Sequence, residues 1–164
     1  MELETKILSR ALQQYLYDND KTIGTAESCT GGRIAEAIIA TPGSSKYFKG
    51  GVIAYTNEVK ENILGVSEKT LAEEYPVSEA VAKEMVIGAC KSLNVDFAIS
   101  STGYAGPSGN GDIPVGTIWL ACGNTEEQLT LKLTEDFGRD VNLAIATNSA
   151  LRLFISLIKE ELNK

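Results

Sequence analysis

The stretch Thr25-Ala26-Glu27-Ser28-Cys29-Thr30-Gly31-Gly32 decides how the rest of the chain is read. Upstream, Lys21-Thr22-Ile23-Gly24-Thr25-Ala26 is short, β-branched and bounded by Asp20 and Glu27, the pattern of a buried strand. Downstream, Ile34, Ala35, Ile38 and Ile39 recur at helical spacing. Ser28 and Cys29 therefore fall in a strand-to-helix turn. Thr30 is placed to cap the helix, and Gly31 and Gly32 are poor helix formers that let a ligand approach the backbone. On this reading the free N–H groups of the first helical turn face an anion beside a nucleophile. Glycines after a strand are also ordinary α/β punctuation, so the rest of the chain has to support the reading.

At 164 residues, 43% hydrophobic and 23% charged, the chain fits one domain spanning 1–164 and leaves no room for a second of usual size. A net charge of -7 with no Lys/Arg-rich run argues against nucleic-acid binding. Cys29, Cys90 and Cys122 are an odd set without metal-type pairing, which points to a reducing compartment. The N-terminus lacks a signal peptide's apolar core and no apolar run looks long enough to span a bilayer, so a cytoplasmic protein without a membrane partner is expected. The sequence contains no histidine. That excludes a Ser-His-Asp triad, a Cys-His pair and any histidine-ligated metal within the chain. A hydrolase built here needs another base, and neither a metal nor a cofactor is expected.

In chain order, Leu3, Ile7, Leu8, Ala11, Leu12 and Tyr15 predict a packed first helix from Leu3 to Tyr17. The Ser28 turn leads into a helix ending near Ala40. After a loop anchored by Tyr47 and Phe48, Gly50-Gly51-Val52-Ile53-Ala54-Tyr55 reads as a second buried strand. Thr56 caps a helix carrying Lys60 in its first turns, and Ser67 and Ser78 start two more helical pieces. Val95 to Thr102 reads as a third strand, followed by a glycine-rich loop from Gly103 to Asp112. Val115–Cys122 and Gln128–Leu133 form a hairpin, and a last helix runs from about Arg139 to Leu162. Strands alternating with helices, then a hairpin, imply an α/β fold: a three-layer α/β/α sandwich on a mixed, mainly parallel sheet of about five strands. Ligands of such sheets bind beyond the carboxyl ends of the parallel strands. Ser28, Tyr55 with Lys60, and Thr102 with Gly103 occupy those ends.

Without histidine, the proton of Ser28 has only lysine, carboxylate or tyrosinate to go to. Lys60 serves only if neutral, and burial and the positive end of its helix both push its pKa down. A Ser28–Lys60 dyad with Tyr55 relaying or orienting the proton is the sharp reading; a solvated helix lysine is the plain one. Cys29 is a rival nucleophile or a small core residue. Glu27 either holds the lysine or solvates the turn. The Gly103–Gly111 loop matches neither a dinucleotide fingerprint nor a P-loop, and Arg139 is either an anion clamp or a surface arginine.

Five ordered motifs then resemble one family. Thr25-Ala26-Glu27-Ser28-Cys29-Thr30-Gly31-Gly32, Pro42-Gly43-Ser44-Ser45, Gly51-Val52-Ile53-Ala54-Tyr55-Thr56-Asn57-Glu58-Val59-Lys60, Gly103-Tyr104-Ala105-Gly106-Pro107 and Pro114-Val115-Gly116-Thr117 are similar to the C-terminal domain of the competence/damage-inducible protein CinA. The resemblance runs from about Thr22 to the last helix and includes stand-alone nicotinamide-nucleotide amidohydrolases. It implies an anticodon-binding-domain-like sandwich and deamidation of nicotinamide mononucleotide to nicotinic acid mononucleotide and ammonia. It also implies a homo-oligomer, with a dimer favoured. Its serine, lysine, tyrosine and threonine fall on Ser28, Lys60, Tyr55 and Thr102. Expected substrate contacts are Glu27, Thr30, Gly31, Gly32, Thr102, Gly103, Ala105, Gly106 and Arg139. The chain departs from the family pattern after Arg139, where a further arginine is usual and Val141-Asn142-Leu143 stands instead. The alternatives are a catalytically silent nucleotide-binding relative and an amidase acting on another small amide.

Overall fold

β1 (Ile23–Glu27) lies between two parallel neighbours, and every residue in it is buried. In the computed structural model, which describes residues 2–164, it belongs to a five-stranded sheet of order β2-β1-β3-β4-β5. β2 (Phe48–Ile53) and β3 (Phe97–Gly103) pair with β1 in parallel; β4 (Ile118–Gly123) and β5 (Gln128–Leu133) continue the sheet antiparallel.

The two faces of the sheet differ because side chains alternate along each strand. One face presents Ile23, Ile99 and Leu120 to α1 (Leu3–Asp18), α2 (Arg33–Ile39) and α6 (Arg139–Leu162). The other presents Ala26, Ala98 and Ala121 to α3 (Asn57–Leu64), α4 (Glu68–Glu74) and α5 (Glu79–Leu93). This alanine floor lets α5 lie close over the middle of the sheet. Thr56, Ser67 and Ser78 cap α3, α4 and α5 through the amides of Val59, Thr70 and Val81. The chain leaves β1 through α2 on one face and returns from β2 through α3, α4 and α5 on the other. The carboxyl ends of β1 and β3 therefore open a crevice between diverging connections.

Three local expectations are corrected. β2 is the edge strand, begins at Phe48 and alternates half-buried with exposed residues, because only β1 covers it. The inner face of α1 is Thr5, Ser9, Leu12 and Leu16, while Leu3 and Ile7 face solvent. Hydroxyls are tolerated inside because Thr5 donates to Asn148 at 2.8 Å and Ser9 to the Ala37 carbonyl at 2.7 Å. Finally, α6 is long and apolar enough to cross a bilayer, with a mean hydropathy of 1.5 over its best window, but 67% of that window is buried against the sheet. It packs as a core helix.

α3, which carries Lys60, is held to α5 at Gly88. A Cβ there would collide with the Leu64 carbonyl, which is backbone and not the free end of a side chain, so the two helices would have to shift apart. Gly88→Ala is expected to destabilise the protein by about 1–3 kcal/mol, read as a lower urea midpoint at unchanged slope; an unchanged midpoint contradicts the packing.

Candidate active site

Ser28 immediately follows β1, and its amide extends the β1–β3 ladder by donating to the Ser101 carbonyl at 2.9 Å. The turn then closes through Gly31 N–H to the Ser28 carbonyl at 3.1 Å and Arg33 N–H to the Thr30 carbonyl at 3.0 Å. Gly31 and Gly32 have φ of 55° and 103°, so the backbone itself requires glycine at both.

The anion at this helix N-terminus is the protein's own. Glu27, 1% exposed, accepts from the amides of Ile34 at 2.8 Å and Ala35 at 3.0 Å and from the Thr30 hydroxyl at 2.7 Å. Its charge complements the positive end of α2. Thr30 has spent its one proton on Glu27, so in its 2.6 Å contact with Ser101 the serine is the donor. Thr30 is thus not the cap expected from the sequence, and Glu27 neither holds the lysine nor solvates the turn. Glu27, Thr30, Gly31 and Gly32 form the scaffold behind Ser28, outside the lining of the cavity.

That cavity, about 310 Å³, sits at the carboxyl ends of β1 and β3. It brings together Ser28, Tyr55, Lys60, Thr102, Gly103, Ala105, Gly106 and Arg139 from the expected set. Lys60 points inward from the first turn of α3, is 2% exposed, and places Nζ 3.1 Å from Ser28 Oγ. No carboxylate lies within salt-bridge distance of it among the described residues. Burial lowers the Lys60 pKa from its ordinary 10.5; an ionised Cys29 would oppose this. Burial, however, pushes the Cys29 thiol up to about 11, so at neutral pH the thiol carries no charge to stabilise an ammonium. A neutral amine with a free lone pair beside a serine hydroxyl is able to accept its proton.

The other expected residues divide between mouth and wall. Tyr55 is exposed, and its hydroxyl accepts from Arg139 Nη2 at 3.4 Å; it bonds neither Ser28 nor Lys60. Arg139 Nη1 donates to the Gly106 carbonyl at 2.5 Å. Thr102, 1% exposed, donates to the Pro76 carbonyl at 2.7 Å and so ties β3 to the segment before α5. Asn57, Pro76, Val77, Tyr104 and Ser108 also line the cavity. Tyr104 and Ser108 belong to the glycine-rich loop and were within reach of the sequence pattern; Pro76 and Val77 arrive by a long crossover that leaves no local signal.

The family model described as the CinA C-terminal domain matches residues 5–158. The chain belongs to the CinA C-terminal domain family. Within that family it is 47% identical over 115 residues to the nicotinamide-nucleotide amidohydrolase PncC of Escherichia coli K12, covering 70% of each protein. It is 43% identical over 145 residues to a putative competence-damage inducible protein of Clostridium kluyveri, covering 88% of this chain and 35% of that one. Among solved structures, a CinA superfamily protein of E. coli superposes with a TM-score of 0.90 at 36% identity, covering 93% of this chain and 90% of the other. The competence damage-inducible protein A of Klebsiella pneumoniae superposes at 0.91 and 33%, covering 94% and 97%. Asn142 and Leu143, at the expected departure from the family pattern, are both buried, in the first turns of α6.

The position of Lys60 has a measurable consequence. Its folded pKa is lowered, so between that value and the unfolded 10.5 the unfolded chain binds more protons and stability rises with pH. In a Cys29→Ala background, which removes the thiol titrating nearby, urea melts of the wild-type lysine and of Lys60→Met are expected to converge as pH climbs towards 10.5. A gap independent of pH would contradict a destabilised ammonium.

Proposed function

We propose that this chain hydrolyses the carboxamide of nicotinamide mononucleotide, giving nicotinic acid mononucleotide and ammonia. The observation that carries the reading is the 3.1 Å approach of a buried lysine without a carboxylate partner, Lys60, to the hydroxyl of Ser28. Identity of 47% to a nicotinamide-nucleotide amidohydrolase supplies the substrate class.

In this reading Ser28 Oγ attacks the carboxamide carbon while Lys60 takes its proton. The proton returns to the departing nitrogen, so ammonia leaves and an acyl-enzyme remains. Water, deprotonated by the same amine, then releases the acid and restores the serine. The oxyanion is assigned to the backbone amides of the buried Ala105–Gly106 segment, where a neutral donor set suits a charge that develops only during reaction. The phosphate is assigned to Arg139 at the mouth, since a guanidinium matches a permanent anion. Tyr55, bonded to Arg139, goes with the nucleotide end of the substrate and not with the proton. Cys29, with its raised pKa, is a wall of the cavity and not a nucleophile. A cytoplasmic setting agrees with three free, buried cysteines. A homo-oligomer remains part of the proposal; Val141 and Ile145, one turn apart in α6, and Phe137 just before the helix, all exposed, are its candidate face.

Ammonia release from nicotinamide mononucleotide tests the reading. The wild type is expected to turn over, Ser28→Ala to lose activity, Lys60→Met to fall by about 10²–10⁴-fold, and Cys29→Ala to stay within a few-fold. Tight binding of the nucleotide without ammonia would favour a silent binding module. Release only from other amides in a panel would move the chemistry to another substrate.

A further inference from the structure

Asn142 is 3% exposed and uses every hydrogen-bonding group of its side chain. Its Nδ2 donates to the Ala105 carbonyl at 2.9 Å and to Asp136 Oδ1 at 2.8 Å, and its Oδ1 accepts from the Phe137 amide at 2.9 Å. Asp136 Oδ1 also accepts from the Gly138 amide at 3.0 Å, so the segment leading into α6 folds around this one amide group. An asparagine so placed, with both Nδ2 hydrogens committed and outside the lining of the Ser28 cavity, acts on something else. What it grips on the cavity side is the Ala105 carbonyl.

Two neighbouring bonds complete the hold on that loop. Gly116 N–H donates to the Tyr104 carbonyl at 2.7 Å, and Arg139 holds the Gly106 carbonyl. Three successive carbonyls, Tyr104, Ala105 and Gly106, are therefore each turned to a fixed donor. In a trans peptide the N–H points opposite to the C=O. The Ala105 and Gly106 amides consequently face away from Gly116 and Asn142, and neither finds an acceptor among the described residues. Both residues are buried and line the cavity that contains Ser28.

We infer that Asn142 is a positioning residue for catalysis: it fixes the Ala105–Gly106 peptide so that the Gly106 N–H is presented to the reacting carboxamide oxygen. The inference rests on the amidohydrolase reading for the word catalysis, but its structural half stands apart from it. Orientation worth keeping in this way acts on the transition state more than on binding.

The test pairs kinetics with backbone ¹⁵N relaxation of the free protein, on wild type, Asn142→Ala and Asp136→Ala. Asn142→Ala is expected to lower kcat on nicotinamide mononucleotide by about 10²-fold with KM within a few-fold, and to raise the mobility of the Gly106 amide while amides of β1 and α3 keep theirs. Asp136 is exposed, so Asp136→Ala retains the fold if Asn142→Ala does not, and shows the same pattern at smaller amplitude. Unchanged kcat and unchanged Gly106 mobility in a folded variant overturn the inference. So does a rise in KM alone, which would place the peptide on the bound substrate's permanent charge, or a loss of order spread evenly through β1 and α3. If the wild type releases no ammonia, the functional reading fails, whereas the Gly106 relaxation still decides whether Asn142 sets the loop.

Discussion

The structure turns on the removal of one amine from water. Lys60 is 2% exposed, stands in the first turn of α3 where the helix end is positive, and meets a serine hydroxyl where a surface lysine would meet water. Burial makes an ammonium expensive, no carboxylate partner offsets that cost, and the Lys60 pKa is lowered from its ordinary value. The nearby thiol does not rescue the charge, because the same burial holds Cys29 protonated to about 11. In a chain without histidine, this buried amine is the base that the proposed mechanism uses.

The scaffold around the pair consists of elements that hold each partner independently. Ser28 is fixed from β1 by the ladder bond to Ser101 and from α2 by Glu27, whose carboxylate neutralises the helix end and anchors Thr30. Lys60 is fixed by the cap at Thr56 and by the close passage of α5 over α3 at Gly88. The wall opposite is fixed from α6 through Asn142 and Arg139. A sheet of order 2-1-3 at its parallel end is what allows three elements from distant parts of the chain to reach one crevice.

Much of this was legible in the sequence because it is written in local patterns. Serine caps at Ser67 and Ser78, the glycines after Thr30, and apolar periodicity placed the helices; the absence of histidine left Lys60 as the candidate base. What stayed hidden depends on where a side chain points. Glu27 read as a holder of the lysine, turn solvation or a substrate contact because nothing local says that its carboxylate folds forward onto Ile34 and Ala35. Tyr55 read as relaying or orienting the proton because it closes a strand near Lys60, yet α3 turns the lysine inward and leaves the tyrosine with Arg139. Asn142 looked only like a missing arginine, since its partners lie on a loop reached by folding. The buried hydroxyls of Thr5 and Ser9 were invisible to a pattern that counts apolar residues.

The central claim is that the amine beside Ser28 is uncharged when the protein works. Direct titration of the Lys60 side chain by ¹⁵Nζ or ¹³Cε resonances, assigned by comparison with Lys60→Met, measures it without any substrate. A buried, unpaired amine gives a midpoint below the ordinary lysine value of 10.5. A midpoint at or above that value would show a permanently charged ammonium and contradict the Ser28–Lys60 pair as nucleophile and base.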